Sequence, residues 1–167
     1  MKKIFLVAVV ALLATPLFAS DMKFDGKLGY ARVKDGGNGF VIGPAMYYSL
    51  YTDNGFVKDL SVGLGLDMTM AKFSTASTWG YNFLFTPEAR LELPYSYVKL
   101  GFGYDYFRIA GVNNNLFAMK FGVGALFTVA EGTKLGLDFT LDYMLTQGNL
   151  GERLWIINVG PVVSFDL

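Results

Sequence analysis

Ten ionisable residues recur on one phase of an alternating pattern: Asp67, Glu88, Arg90, Glu92, Lys99, Asp105, Lys120, Lys134, Asp138 and Asp142. Opposite charges at this spacing make ion pairs, and Arg90, between Glu88 and Glu92, offers a planar fork suited to bidentate bonding with a carboxylate. Gly63, Gly65, Gly101, Gly103, Gly122, Gly124 and Gly136 share that phase, so long charged side chains have space to reach across. Two readings follow: an ion-paired structural plug, because buried charges must be paired whatever the function, or a polar conduit or ligand cavity where the glycines leave a gap beside Tyr47 and Tyr51. Catalysis is harder to build. The 167 residues contain no His and no Cys, which removes the imidazole base, the thiolate nucleophile and the usual metal ligands. Ser74, Thr75, Ser77 and Thr78 then have no recognisable base and read as turn formers. Asp53-Asn54-Gly55 reads as a hairpin turn, because the later carboxylates of a calcium loop are missing. No catalytic residue, cofactor site or metal site is assigned.

The elements that carry these residues are strands. In Leu60 to Met70 the even positions are apolar, while Ser61, Gly63, Gly65, Asp67 and Thr69 share the other face; Phe117 to Val129 and Leu135 to Tyr143 repeat the pattern. Period two marks a strand with two unlike faces. Continued along the chain, it predicts eight strands near Met22 to Lys34, Gly39 to Tyr51, Leu60 to Ala71, Trp79 to Leu93, Tyr97 to Phe107, Leu116 to Val129, Lys134 to Leu145 and Leu154 to Leu167. Gly, Asn, Asp and Pro crowd the links, including Asp35-Gly36-Gly37-Asn38 and Gly111 to Asn115, as hairpins require. The architecture expected is all-β: an eight-stranded antiparallel up-and-down barrel.

Alternation does not say which face is inside; volume does. The apolar face carries mostly Leu, Phe, Tyr, Met, Ile and Val, too much to fit the narrow lumen of eight strands, whereas the other face is rich in Gly, Ala, Ser, Thr and charge. A soluble barrel of the lipocalin kind is the alternative, but its solvated exterior would not be glycine after glycine. The barrel expected is therefore transmembrane, with 53% hydrophobic residues forming mostly an outer coat. Tyr30, Phe40, Trp79, Tyr106, Phe117, Tyr143 and Trp155 fall on that coat near the strand ends remote from the N-terminus, as one interfacial aromatic girdle. Residues 1–19, with Lys2 and Lys3 ahead of an apolar run from Ile4 to Leu13, read as a cleaved signal peptide, and 20–167 as the barrel domain. Its removal leaves 12 cations against 14 anions, which gives no reason to expect nucleic acid as a partner.

The leader, the eight amphipathic strands and the closing stretch Val159-Gly160-Pro161-Val162-Val163-Ser164-Phe165-Asp166-Leu167 together resemble the small eight-stranded bacterial outer-membrane proteins of the OmpX and OmpA transmembrane-domain type. That resemblance implies a Gram-negative outer membrane, both termini periplasmic, and a last strand read by the barrel assembly machinery, although the chain ends in Leu167 where the family usually ends in Phe. It transfers no single function. Arg32, Lys34, Lys72, Arg108 and Arg153 fall on the lipid phase at the outer loop ends, where cations reach headgroup phosphates, here those of lipopolysaccharide; solvated loop charges are the alternative. The sequence thus points to a monomeric, non-enzymatic outer-membrane barrel with a structural role in the envelope, its lumen filled by ion pairs and its rim on lipid and lipopolysaccharide. A narrow porin-like pore or carrier for a small or apolar solute is the second reading. Surface adhesion is the third, weakened by short outer loops.

Overall fold

A computed structural model describes residues 21–53, 55–73, 78–147 and 153–167; the expected leader, Ser74, Thr75 and Ser77 lie outside them. Eight strands follow in order: β1 Met22–Val33, β2 Gly37–Thr52, β3 Asp59–Phe73, β4 Thr78–Glu92, β5 Ser96–Ile109, β6 Val112–Ala130, β7 Thr133–Met144 and β8 Trp155–Asp166. Each pairs antiparallel with its neighbour, and β1 pairs with β8, from Lys23 opposite Asp166 to Val33 opposite Ile156, so the sheet closes on itself. Closure leaves no strand edge without a partner.

Alternation sets the two faces. Along β5, Val98, Leu100, Phe102 and Tyr104 are exposed, while Tyr97, Lys99, Gly101, Gly103 and Asp105 are buried. The outward set is almost wholly apolar around the ring, from Leu28 and Ile42 to Phe121, Leu137 and Val159. A continuous coat of this kind far exceeds the few hundred Å² of apolar patch that a water-exposed monomer tolerates. It suits hydrocarbon, and the fold is that of a transmembrane barrel.

Three details depart from the sequence expectations. The β1–β2 link is a single 3-10 turn over Lys34–Gly36, so Gly37 and Asn38 already belong to β2. The stretch Gly111 to Asn115 is not a loop: β5 and β6 are joined by Ala110 and Gly111 alone, both at positive φ (50° and 82°), and Val112 through Asn115 pair back onto β5. Two-residue hairpins with both φ values positive match the right-handed twist of the strands, which is why this tight reversal displaces a longer loop. Finally, a bulge between Ser49 and Tyr51 inserts Leu50 as an extra residue, so Tyr51 pairs with the outward Leu60 and is 52% exposed rather than in the lumen.

Among the described residues, Ala110 is the one hairpin residue that bears a Cβ at positive φ without a polar side chain to compensate. Ala110→Asn is expected to stabilise the barrel by about 1 kcal/mol, because Asn tolerates this conformation. The midpoint of urea unfolding in lipid vesicles measures it; an unchanged or lower midpoint contradicts the hairpin geometry.

Candidate functional site

Inside the barrel, polar side chains gather in tiers. The first lies toward the chain termini and centres on Arg90, which is fully buried. Arg90 donates from one terminal nitrogen to Asp25 at 2.6 Å and from the other to Glu92 at 3.2 Å, so it bridges two carboxylates instead of binding one bidentately. Its guanidinium carbon sits 4.4 Å from the ring centre of Tyr97 and 5.3 Å from that of Tyr47. Aromatic faces on either side replace part of the hydration lost on burial. Glu92 also receives Lys23 at 3.1 Å and Lys134 at 2.5 Å, and Lys23 reaches Asp59 at 3.2 Å.

The second tier centres on Lys120, 2.6 Å from Glu88 and 2.7 Å from Asp67. Tyr47 and Thr86 each donate a hydroxyl to Glu88 at 2.7 Å. Lys27 spans Asp67 at 3.2 Å and Asp138 at 3.3 Å; Lys99 reaches Asp138 at 2.8 Å, and Tyr97 donates its hydroxyl to the same carboxylate. The glycine phase is occupied by these chains. A Cβ on Gly65 would stand 2.2 Å from Glu88 Oε1, one on Gly122 2.5 Å from Lys99 Cε, and one on Gly124 2.3 Å from the Tyr97 ring. The glycines thus accommodate packed side chains, and the buried ring of Tyr47 lies 2.7 Å from where a Cβ on Gly63 would stand.

Beyond Lys120 the remaining two charged residues, Asp105 and Asp142, meet amides: Asn82 donates to Asp105, and Asn158 to Asp142 at 2.8 Å. The loop end of the interior is then mostly apolar: Ala31, Val33, Val41, Ala71, Phe73, Leu84, Phe107, Leu116, Ala118, Met144, Leu154 and Ile156 form one cluster, with Phe73 edge-on to Phe107 at 6.3 Å and the buried Asn114 opposite Phe107. The lumen face, expected to be rich in small and charged residues, has in addition a hydrophobic stopper in its outer part. The ten interior residues expected from the pattern all face inward, and eight of them enter ion pairs. Sequence reading left out Lys23, Asp25, Lys27 and Asp59. The first three alternate with Phe24 on β1, so the phase that placed Phe24 outside already implied them. The apolar stopper had no such signal, because its residues look like those on the outer face.

Outside, Tyr30, Phe40, Trp79 and Phe117 are exposed, and Tyr106, Tyr143 and Trp155 half-buried. Tyr30 stands opposite Phe40, and Tyr143 opposite Trp155. One register step beyond Tyr30 and Phe40, Arg32, Asn38 and Lys72 line up across β1, β2 and β3, followed by Trp79 on β4. Arg108 is outward on β5 opposite Tyr81 and Asn113. Lys34 Nζ donates to the Arg153 carbonyl at 3.2 Å, and Arg153 donates to the Tyr143 hydroxyl at 3.3 Å. Among the described residues no ion pair engages Arg32, Lys72 or Arg108.

A closed ring of eight antiparallel strands, apolar outside and plugged inside, defines the class of small eight-stranded outer-membrane β-barrels. Solved members of that class are similar to this chain in structure. Neisserial surface protein A superposes with a TM-score of 0.61 at 13% identity, over 89% of this chain and 98% of its own. The outer membrane enzyme PagL gives 0.57 at 12% identity, over 86% and 99%. Ail, the attachment invasion locus protein of Yersinia pestis, solved in complex with the heparin analogue sucrose octasulfate, gives 0.54 at 15% identity, over 87% and 98%. No protein-family model and no curated protein matches the sequence. At these identities the likeness is one of fold, and the fold carries an enzyme as readily as non-enzymes.

Arg90→Met is expected to destabilise the barrel by about 3–5 kcal/mol, since Asp25 loses its only ion-pair partner among the described residues. Pairing it with Asp25→Asn recovers part of the loss. Urea titration of the refolded variants decides this: a small effect of Arg90→Met alone means that the guanidinium is not held in the first tier.

Proposed function

We propose that the chain is a non-enzymatic outer-membrane barrel that supports envelope integrity through its lipid contacts, with a cationic outer rim that binds the phosphates of lipopolysaccharide. Residues 1–19 act as the signal peptide, both termini are periplasmic, and the barrel assembly machinery takes up the terminal strand. The barrel works as a monomer, in keeping with a sheet that leaves no edge open to a second copy.

The observation that carries the rim reading is the row Arg32, Asn38 and Lys72, outward-facing and one step beyond the aromatic pair Tyr30 and Phe40. Aromatic rings favour the headgroup level, and cations just past them meet phosphate. Arg32, Lys72 and Arg108 have guanidinium or ammonium groups without a carboxylate among the described residues, so their charge is free for an external anion.

The non-enzymatic reading rests on chemistry. Without His or Cys, no hydroxyl on the chain has a conventional base, and interior carboxylates of the two tiers are committed to cations. A pore or carrier is the weaker reading because the two charged tiers and the apolar stopper fill the interior in series. Adhesion stands behind both; the described outer connections are a 3-10 turn and a two-residue hairpin, which offer little surface to a partner.

Neutralising Arg108 and Arg153 together, with Lys72→Gln as a third change, is expected to reduce lipopolysaccharide co-purification and to alter polymyxin sensitivity of the envelope. Unchanged values on both counts remove the rim assignment. In planar bilayers the wild-type barrel is expected to show no steady conductance; reproducible single-channel openings would favour the pore instead.

A further inference from the structure

The outer coat is not evenly filled. An open groove of about 490 Å³ runs from Leu135 on β7 across β8, β1 and β2 to Met68 on β3. Its floor is Gly26, which faces outward on β1 between Phe24 and Leu28 and has no side chain to fill the coat. Pro44 stands opposite Gly26 on β2 and Val163 opposite it on β8, with Pro161 two residues further along. The floor is thin enough that the inward-facing Lys27 and Val162 also line the groove.

The two prolines bear on the wall itself, because a proline donates no hydrogen bond to a ladder. β1 and β8 are paired up to Lys27 with Val162 and again from Tyr30 with Val159. β2 and β3 are paired up to Ile42 with Met68 and again from Ala45 with Gly65. Both lapses border the groove, so whatever fills it covers the two stretches of wall where pairing is interrupted.

We propose that the groove seats one acyl chain of a glycerophospholipid. The coat faces hydrocarbon at this level, and a depression left empty forfeits the dispersion contacts that its lining could make. A chain laid over Gly26 meets the floor and the flanking side chains together, where on a filled stretch of coat it meets side-chain tips alone. A second protein chain has little to gain there. The side chains that face the groove are apolar and offer a partner no hydrogen bond, and lipid tails are as apolar as any side chain that would replace them. The choice of phospholipid over lipopolysaccharide rests on the reading of both termini as periplasmic. Phe24 and Leu135 are each the third residue of a strand that starts at the terminal end, so the groove reaches the leaflet on that side.

The mature barrel is refolded into vesicles of phosphatidylethanolamine and phosphatidylglycerol in which a small fraction of the lipid carries a diazirine on one acyl chain. After irradiation and digestion, the lipid adducts are mapped by mass spectrometry. Leu28 in the groove and Phe102 on β5 are 57% and 55% exposed, and each is the seventh residue of its strand, so exposure and depth are matched. Several-fold more adduct is expected at Leu28 and Val163 than at Phe102. The excess is expected to vanish in Gly26→Leu, whose side chain fills the floor; a Cβ there meets Val163 Cγ1 at 3.5 Å, an ordinary contact. Equal adduct on the two faces overturns the site, and so does an excess that survives Gly26→Leu. Less adduct at Leu28 than at Phe102 means that protein covers the groove, and overturns it as well. Should Gly26→Leu fail to insert, Gly26→Ala takes its place, with a partial loss of the excess expected and full retention overturning the site. Unlabelled lipopolysaccharide added to the vesicles is expected to leave the adducts unchanged; displacement assigns the groove to lipopolysaccharide chains and overturns the phospholipid. Orientation is read separately, by protease treatment of intact cells that carry a terminal tag on the barrel. Cleavage overturns the periplasmic reading and the choice of phospholipid with it, while the adduct excess in vesicles is decided by the first measurement alone.

Discussion

Every backbone amide that enters hydrocarbon must find its partner within the protein, and this one constraint shapes the whole molecule. Strands meet it only by closing into a ring, which β1 and β8 accomplish here along most of their lengths. Eight strands are few, so the ring is narrow, and its narrowness governs the interior. Large side chains are driven outward, where lipid accepts them, and glycine becomes the way to fit a long charged chain between opposite walls. Gly65, Gly122 and Gly124 each stand where Glu88, Lys99 or Tyr97 comes too close for a Cβ.

A narrow ring in a low-dielectric surround then makes its charges interdependent. Glu92 answers to Lys23, Arg90 and Lys134, and Asp67 to Lys27 and Lys120, so no pair in the first two tiers can be removed alone without stranding another charge. Such a network does not have to add stability relative to an apolar filling. What it does is link strands distant in sequence, β1 to β3, β4 and β7 across the lumen, and so discourage slips of register that would send each charge into lipid. The apolar stopper at the loop end closes the same interior by other means. Among the described residues, two kinds of filling thus follow one another along the interior.

The outer surface has a graded composition. Apolar side chains give way to Tyr30, Phe40 and Trp79, then to Arg32, Asn38 and Lys72 one step on, and finally to short connections. The order follows the polarity gradient of a bilayer leaflet, from hydrocarbon to headgroup. Neisserial surface protein A, PagL and Ail share the frame with little sequence in common, so the likeness is one of fold.

Much of this was legible in the chain itself. Strict period two, broken by Gly, Asn and Asp, dictates eight strands and their order, and the bulk of one face dictates that it lies outside; these are local properties, set by the pleat and by side-chain volume. The inward phase of Arg90, Lys120 and Asp138 follows from the same pleat, and Lys23, Asp25 and Lys27 were readable by the phase of Phe24. Three things were decided only by closure. The bulge at Leu50 turned Tyr51 outward, because register across β2 and β3 depends on both strands and not on either alone. The stopper formed where inward residues from all eight strands, Val33 and Val41 to Phe107 and Ile156, converged toward the loop end, which alternation along a single strand cannot express. Which cation answers which carboxylate, and that Asp105 and Asp142 are left with amides, depends on distances across the lumen, and those exist only once the ring has closed.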